Sequence, residues 1–88
     1  MRELDWVRAE IECIDRALIR LIGARVRAAR RAAAAKRVAG LPTVDPAQEA
    51  VVVKRAAALA DDVGLPPDEI RGVFSHLIGL TRRAELEP

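Results

Sequence analysis

Two cations interrupt the most regular apolar pattern of the sequence and are the first candidates for chemistry. Between residues 4 and 35, aliphatic side chains recur at alternating spacings of three and four, and Arg25 occupies one of these positions. Lys36 lies eleven residues on, and eleven steps of about 100° bring it to within roughly 20° of the same helix face. Alone, Arg25 would be interpreted as a snorkelling side chain or an intersubunit ion pair. The two cations together predict a site for a small anion.

Polar side chains also interrupt the last apolar stripe. Thr81 continues the spacing of Ile70, Phe74 and Leu77, and Glu85 follows one turn later. Polar groups on a packed face need hydrogen-bond partners. The structural alternatives to a ligand-binding role are a Thr81 hydroxyl bonded to its own helix and a solvated helix end at Glu85.

A helix start lies between these two groups of residues. Asp45 is a suitable N-cap, Pro46 fits the first helical position, and Gln48 completes a capping box. Glu49 would be a first-turn acid favoured by the helix dipole. Both acids therefore have structural roles that compete with any functional interpretation.

Three helices must position these side chains. The patterns predict helices over about residues 4–38 and 45–62, and a third that begins near Asp68 and Glu69 after the break at residues 63–67. No segment has the two-residue period of a strand. We therefore expect an all-α fold with one long and two shorter helices, in a single domain over residues 1–88.

The first helix is too long for one small globule to cover. It would extend roughly 50 Å, whereas a compact chain of this length is only about 30 Å across. A chain of 88 residues is also only marginally stable by itself. We therefore expect an intertwined homodimer with the long helices side by side.

Composition excludes several classes of function. Cys13 is the single cysteine, and His76 has no ligand-spaced neighbour, so we expect neither a disulfide nor a metal site. The charged first ten residues exclude a signal peptide, and no apolar run is long enough to span a membrane. We expect a cytoplasmic protein without membrane contact.

The order of these residues along three helices resembles the all-helical chorismate mutase family over essentially the whole chain. The most specific parts are the segment 7–25 with Ile14 and Asp15, the spacing of Arg25 and Lys36, and the segment 42–49. The resemblance implies a cofactor-free isomerase that rearranges chorismate, a dicarboxylate, to prephenate. It also implies a homodimer in which each site is completed by one residue of the other subunit.

The resemblance further assigns roles to individual residues. Arg8 matches the residue that crosses to the other subunit's site, and Arg25 matches an in-chain carboxylate ligand. Lys36 and Glu85 match the catalytic groups at the ether oxygen, where Glu85 would donate only while protonated. The remaining substrate-binding positions are Asp45, Gln48, Glu49 and Thr81. Many family members have Ser at the position of Thr81, Gln at that of Glu85 and Arg at that of Gln48.

Three alternatives remain open. Gln48 and Glu85 are compatible with a related dicarboxylate enzyme, either an isochorismate pyruvate lyase or a 4-amino-4-deoxychorismate mutase. The seven basic residues between Arg20 and Arg37 would also suit a non-enzymatic dimer that binds nucleic acid, but recognition motifs and stacking aromatics are lacking, so we expect no nucleic-acid partner. The third alternative is a mutase activated by a partner enzyme.

Overall fold

The computed structural model describes residues 2–86, and these form three α-helices. They are α1 (Arg2–Val38), α2 (Pro46–Asp62) and α3 (Pro67–Leu86), and the described residues contain no strand. The all-helical prediction is confirmed. Helix α1 begins two residues earlier than predicted, and α3 begins at Pro67, within the predicted break. A proline fits this position because the first helical amide needs no acceptor.

Both interhelical turns are closed by a glycine with a left-handed backbone. At the end of α1, Gly40 has φ +72°, and the Leu41 amide donates to the Lys36 carbonyl at 2.8 Å. At the end of α2, Gly64 has φ +76°, and the Leu65 amide donates to the Ala60 carbonyl at 2.8 Å. These Schellman motifs satisfy free carbonyl groups and turn the chain sharply. The first motif therefore fixes the end of α1 directly beside Lys36.

Helix α3 packs against both α2 and the C-terminal part of α1. The buried side chains are small, and this allows the helices to approach closely. Among the described residues they are Ala33, Ala56, Ala57, Ala60, Thr81 and Ala84. The predicted stripe of α3 is confirmed, because Ile70, Phe74 and Leu77 are half-buried beside the buried Thr81.

In the C-terminal half of α1, the predicted apolar stripe is not the face that packs within the single chain. Ala28, Ala32 and Ala35 are exposed in the single chain, although the first two line a cleft described below. A strict period of 3.5 residues drifts by about 20° per heptad around a straight helix. Near residues 28–35, the stripe therefore no longer coincides with the side of α1 that is covered within the chain. That face instead carries Ile22, Val26, Ala29, Ala33 and Lys36.

The N-terminal half of α1 has no cover within the chain. Its large side chains are half-exposed, including Ile11 at 51%, Ile14 at 50% and Leu18 at 50%. The molecule measures 58 × 27 × 15 Å, and its radius of gyration is 16.3 Å, compared with about 12 Å for a compact domain of this length. The N-terminal half of α1 therefore extends away from the rest of the chain and is not covered by it.

Candidate active site

A cleft of about 300 Å³, bounded by side chains of all three helices, lies beside the turn after α1. It is open to solvent, and its walls carry both charged and aliphatic side chains. The residues that line it are Arg25, Ala28, Ala29, Ala32, Lys36, Thr43, Asp45, Gln48, Glu49, Val52, Ile78, Thr81 and Glu85. Seven of the eight predicted site residues therefore lie around one cleft.

Arg25 is held against α3 by the Thr81 hydroxyl. The guanidinium Nη1 donates to Thr81 Oγ1 at 3.4 Å, a long hydrogen bond, and the hydroxyl donates to the Ile78 carbonyl at 3.0 Å. Thr81 therefore bonds back to its own helix, as its structural alternative predicted, and also orients Arg25. Because one hydroxyl has one proton, Thr81 would have to rotate to donate to a ligand.

Lys36 is anchored at the other end of the cleft. It is half-buried, and its Nζ donates to the Thr43 carbonyl at 3.0 Å. An ammonium group has three donors, so this bond positions the group and leaves two donors for a ligand. The predicted convergence of Arg25 and Lys36 on one interhelical space is confirmed by the lining of the cleft.

The N-terminus of α2 forms another wall of the cleft. Asp45 is the N-cap, and its Oδ1 accepts from the Gln48 amide at 3.1 Å. This confirms the predicted helix start. The Asp45 and Gln48 side chains are exposed and line the cleft, so capping does not remove them from the site.

Glu49 is paired with Arg82, a residue that the sequence analysis did not single out. Arg82 Nε donates to Glu49 Oε2 at 3.2 Å, and Arg82 Nη2 donates to Glu49 Oε1. The hydrogen bond and the charge of Glu49 raise the pKa of Arg82, with a smaller contribution from the charge of Glu85. A bidentate pair fixes both oxygens of the carboxylate. Glu49 and Arg82 lie 33 positions apart in the sequence, so no local sequence pattern predicts their ion pair.

Arg8 is the one predicted site residue that lies outside the cleft. It is exposed on α1, and it lies seventeen positions before Arg25 in the sequence, which corresponds to about 25 Å along the helix. Within its own chain Arg8 therefore cannot reach the site.

The arrangement offers two cations and several hydrogen-bonding groups around a partly apolar space. Each cation can engage one carboxylate or other polar group of a small organic anion. Within residues 2–86, no cluster of His, Cys, Asp and Glu could hold a metal ion, and no helix is long and apolar enough to cross a membrane.

Comparison with protein families agrees with this chemistry. The family model described as chorismate mutase type II matches residues 7–86, a range that includes every residue lining the cleft. Neither the comparison with curated proteins nor that with solved structures found a match. The family description implies an enzyme, a chorismate mutase, which is an isomerase. The chain therefore belongs to the chorismate mutase type II family.

Proposed function

We propose that this protein rearranges chorismate to prephenate in the cleft between α1, α2 and α3. The observation that carries the proposal is the convergence of Arg25 and Lys36 with Thr81 and Glu85 around one small cavity. The reaction is a [3,3] shift within one molecule: the ether C–O bond breaks while a C–C bond forms, and no proton or electron leaves the substrate. Its requirements are therefore a folded substrate and stabilisation of charge.

Arg25 holds one carboxylate of the substrate. A guanidinium group grips a carboxylate with two parallel hydrogen bonds, and the Thr81 oxygen accepts a further hydrogen bond from Arg25. A flexible dianion that is held at both carboxylates loses the extended conformers that cannot react, and this lowers the barrier by proximity. Asp45, Gln48 and Glu49 line the wall where the ring and its hydroxyl would lie.

Lys36 and Glu85 act on the ether oxygen. Negative charge grows on this oxygen as the C–O bond breaks, so donors placed beside it bind the transition state more tightly than the substrate. Lys36 is fixed for this role by its bond to the Thr43 carbonyl. Glu85 reaches the cleft from α3 and donates only in its protonated form.

A second copy of the chain supplies the remaining cation, Arg8. The uncovered half of α1 carries Arg8 together with Ile11 and Ile14. The accessible surface of the chain is 6895 Å², about 1,800 Å² more than the roughly 5,100 Å² expected of a folded monomer of this mass. An excess of this size is in the range that each subunit of an obligate dimer buries.

The charge pattern of α1 favours an antiparallel pairing. Residues 2–15 carry five acids and two arginines, whereas residues 20–37 carry seven basic residues and no acid. Antiparallel helices place the acidic half of one chain over the basic half of the other, and this complementarity fixes orientation and register. The same arrangement would bring Arg8 of one copy towards the cleft of the other.

The proposal is tested with purified protein and three substrates. Chorismate should be consumed and prephenate should appear, while isochorismate and 4-amino-4-deoxychorismate should remain unchanged. If either of these two compounds is turned over in preference to chorismate, the proposed location of the site is retained but the proposed substrate is wrong. No turnover of any of the three would overturn the proposed function.

A further inference from the structure

The charges that line the cleft do not by themselves suit a dianion. Arg25 and Lys36 contribute two positive charges, whereas Asp45, Glu49 and Glu85 are three acids. Even when Glu85 is counted as uncharged, two acids remain against two cations and their charges sum to zero. A substrate with two carboxylates therefore gains little long-range attraction from this set of side chains, apart from its direct contacts with Arg25 and Lys36.

Arg82 changes this balance from outside the cleft. It does not line the cavity, but its guanidinium engages both oxygens of Glu49, which does. The pair joins α2 to α3, with side chains 43% exposed for Arg82 and 25% for Glu49. The raised pKa of Arg82 reflects the same attraction. Arg82 adds one positive charge, and Arg8 of a second copy adds another, so the total becomes plus two.

We propose that Arg82 is a positioning residue for substrate binding, which neutralises Glu49 and thereby allows a cleft rich in acids to bind a dicarboxylate. It fixes the Glu49 carboxylate through both oxygens, so that this acid faces the substrate as a neutral pair rather than as a free charge. This inference rests on the proposed function and extends it to an arginine that touches no substrate.

Arg82→Gln is the first test. Removal of the charge should raise KM for chorismate roughly five- to tenfold with little change in kcat, because a distant charge affects the bound dianion and the transition state alike. The increase should shrink as salt is added. Arg83→Gln is the matched control, since Arg83 is the exposed neighbour on the same helix and carries the same charge.

Two further variants separate charge from structure. Arg82→Lys should keep most of the affinity, because it keeps the charge and loses only the fork. The double variant Glu49→Gln, Arg82→Gln should return KM to within about threefold of the wild-type value, because it restores the net charge. A KM that stays high in both variants would overturn the inference, since a merely structural role would give that result.

The folding of each variant is checked by circular dichroism, because Arg82→Gln leaves Glu49 unpaired. If that variant does not fold, the same change is measured in the Glu49→Gln background, where no carboxylate loses its partner. Charge contributions add, so KM should again rise roughly five- to tenfold between Glu49→Gln and the double variant. An unchanged KM there would contradict the inference.

Binding of prephenate, measured by titration calorimetry, separates this inference from the proposed function. A wild type that does not turn chorismate over, but binds prephenate with an affinity that depends on Arg82, would overturn only the proposed function. A wild type that does turn chorismate over, and whose KM and prephenate Kd are unchanged in Arg82→Gln, would overturn only the role of Arg82.

Discussion

The two halves of α1 belong to one continuous helix but differ in what surrounds them. The C-terminal half packs its small residues against α3, so that Ala33 is only 1% exposed, and it directs Arg25 and Lys36 into the cleft. The N-terminal half carries larger aliphatic residues, yet its Ile11 and Leu18 are about half-exposed.

Under the proposed function, this contrast assigns binding and assembly to different halves of a single helix. The half built from small residues lines the cleft within its own chain. The half built from large residues has the composition of a buried surface, and a second copy would cover it. Arg8 lies in this uncovered half and would complete the cleft of the partner.

The largest effect is expected in the covered half. Arg25→Ala removes the guanidinium that Thr81 orients and should lower kcat/KM about 1,000-fold, since a charge-assisted fork in the site is lost. A chorismate-consumption assay measures this loss. Arg27→Ala, which removes an exposed arginine of the same helix that does not line the cleft, should stay within about threefold of the wild type. Comparable losses in both variants would contradict the assignment of Arg25.

A charge in the uncovered half should break the assembly. Ile14→Glu places an acid on the exposed apolar stripe, and two-fold symmetry buries it twice. The variant should sediment as a monomer at micromolar concentration and lose roughly a hundredfold in activity. Ala9→Glu adds the same charge on the opposite face and should remain a dimer. A fully active monomeric Ile14→Glu protein would refute the need for a second copy.

A smaller effect concerns Glu85. If Glu85 donates a hydrogen bond to the ether oxygen, Glu85→Ala removes this donor and should lower kcat about tenfold. Glu85→Gln keeps a neutral donor and should retain most of the activity. Equal losses of kcat in the two variants would exclude this role for Glu85.

The smallest effect concerns the wall formed by α2. Asp45→Ala removes the N-cap that accepts from the Gln48 amide and should lower the free energy of unfolding by about 1 kcal/mol. Denaturant titration measures the change. Asp62→Ala removes an acid at the opposite end of the same helix, where the dipole disfavours negative charge, and should have no effect or a slight stabilising one.

Much of the covered region could be predicted from the sequence because its signals are local. The N-cap at Asp45, the glycine after α1 and the spacing of Arg25 and Lys36 are each contained within a few turns of helix. The stripe of α1 does not predict which residues pack within the single chain. Residues that repeat every 3.5 positions do not stay on one side of a straight helix, because the helix has 3.6 residues per turn. Within the single chain, Ala33 is therefore buried, whereas Ala32 of the stripe is exposed.

The pairing of Glu49 with Arg82 could not be predicted. It depends on the rotation of α2 against α3, which is decided by close packing of alanines that have no directional chemistry. From the sequence alone, Glu49 is therefore interpreted only as a first-turn acid or a substrate-binding residue. Helix contacts of this kind become visible only when all three elements are placed together.

The most direct test of the central claim is a subunit-mixing experiment with Arg8→Ala and Arg25→Ala. Each variant alone should be almost inactive. After joint unfolding and refolding at equal concentrations, roughly half of the dimers contain both variants, and each of these has one intact site if Arg8 serves the other subunit. The mixture should then recover roughly a quarter of the wild-type activity. If the mixture is no more active than its separate components, the two residues do not act across subunits and the shared site is refuted.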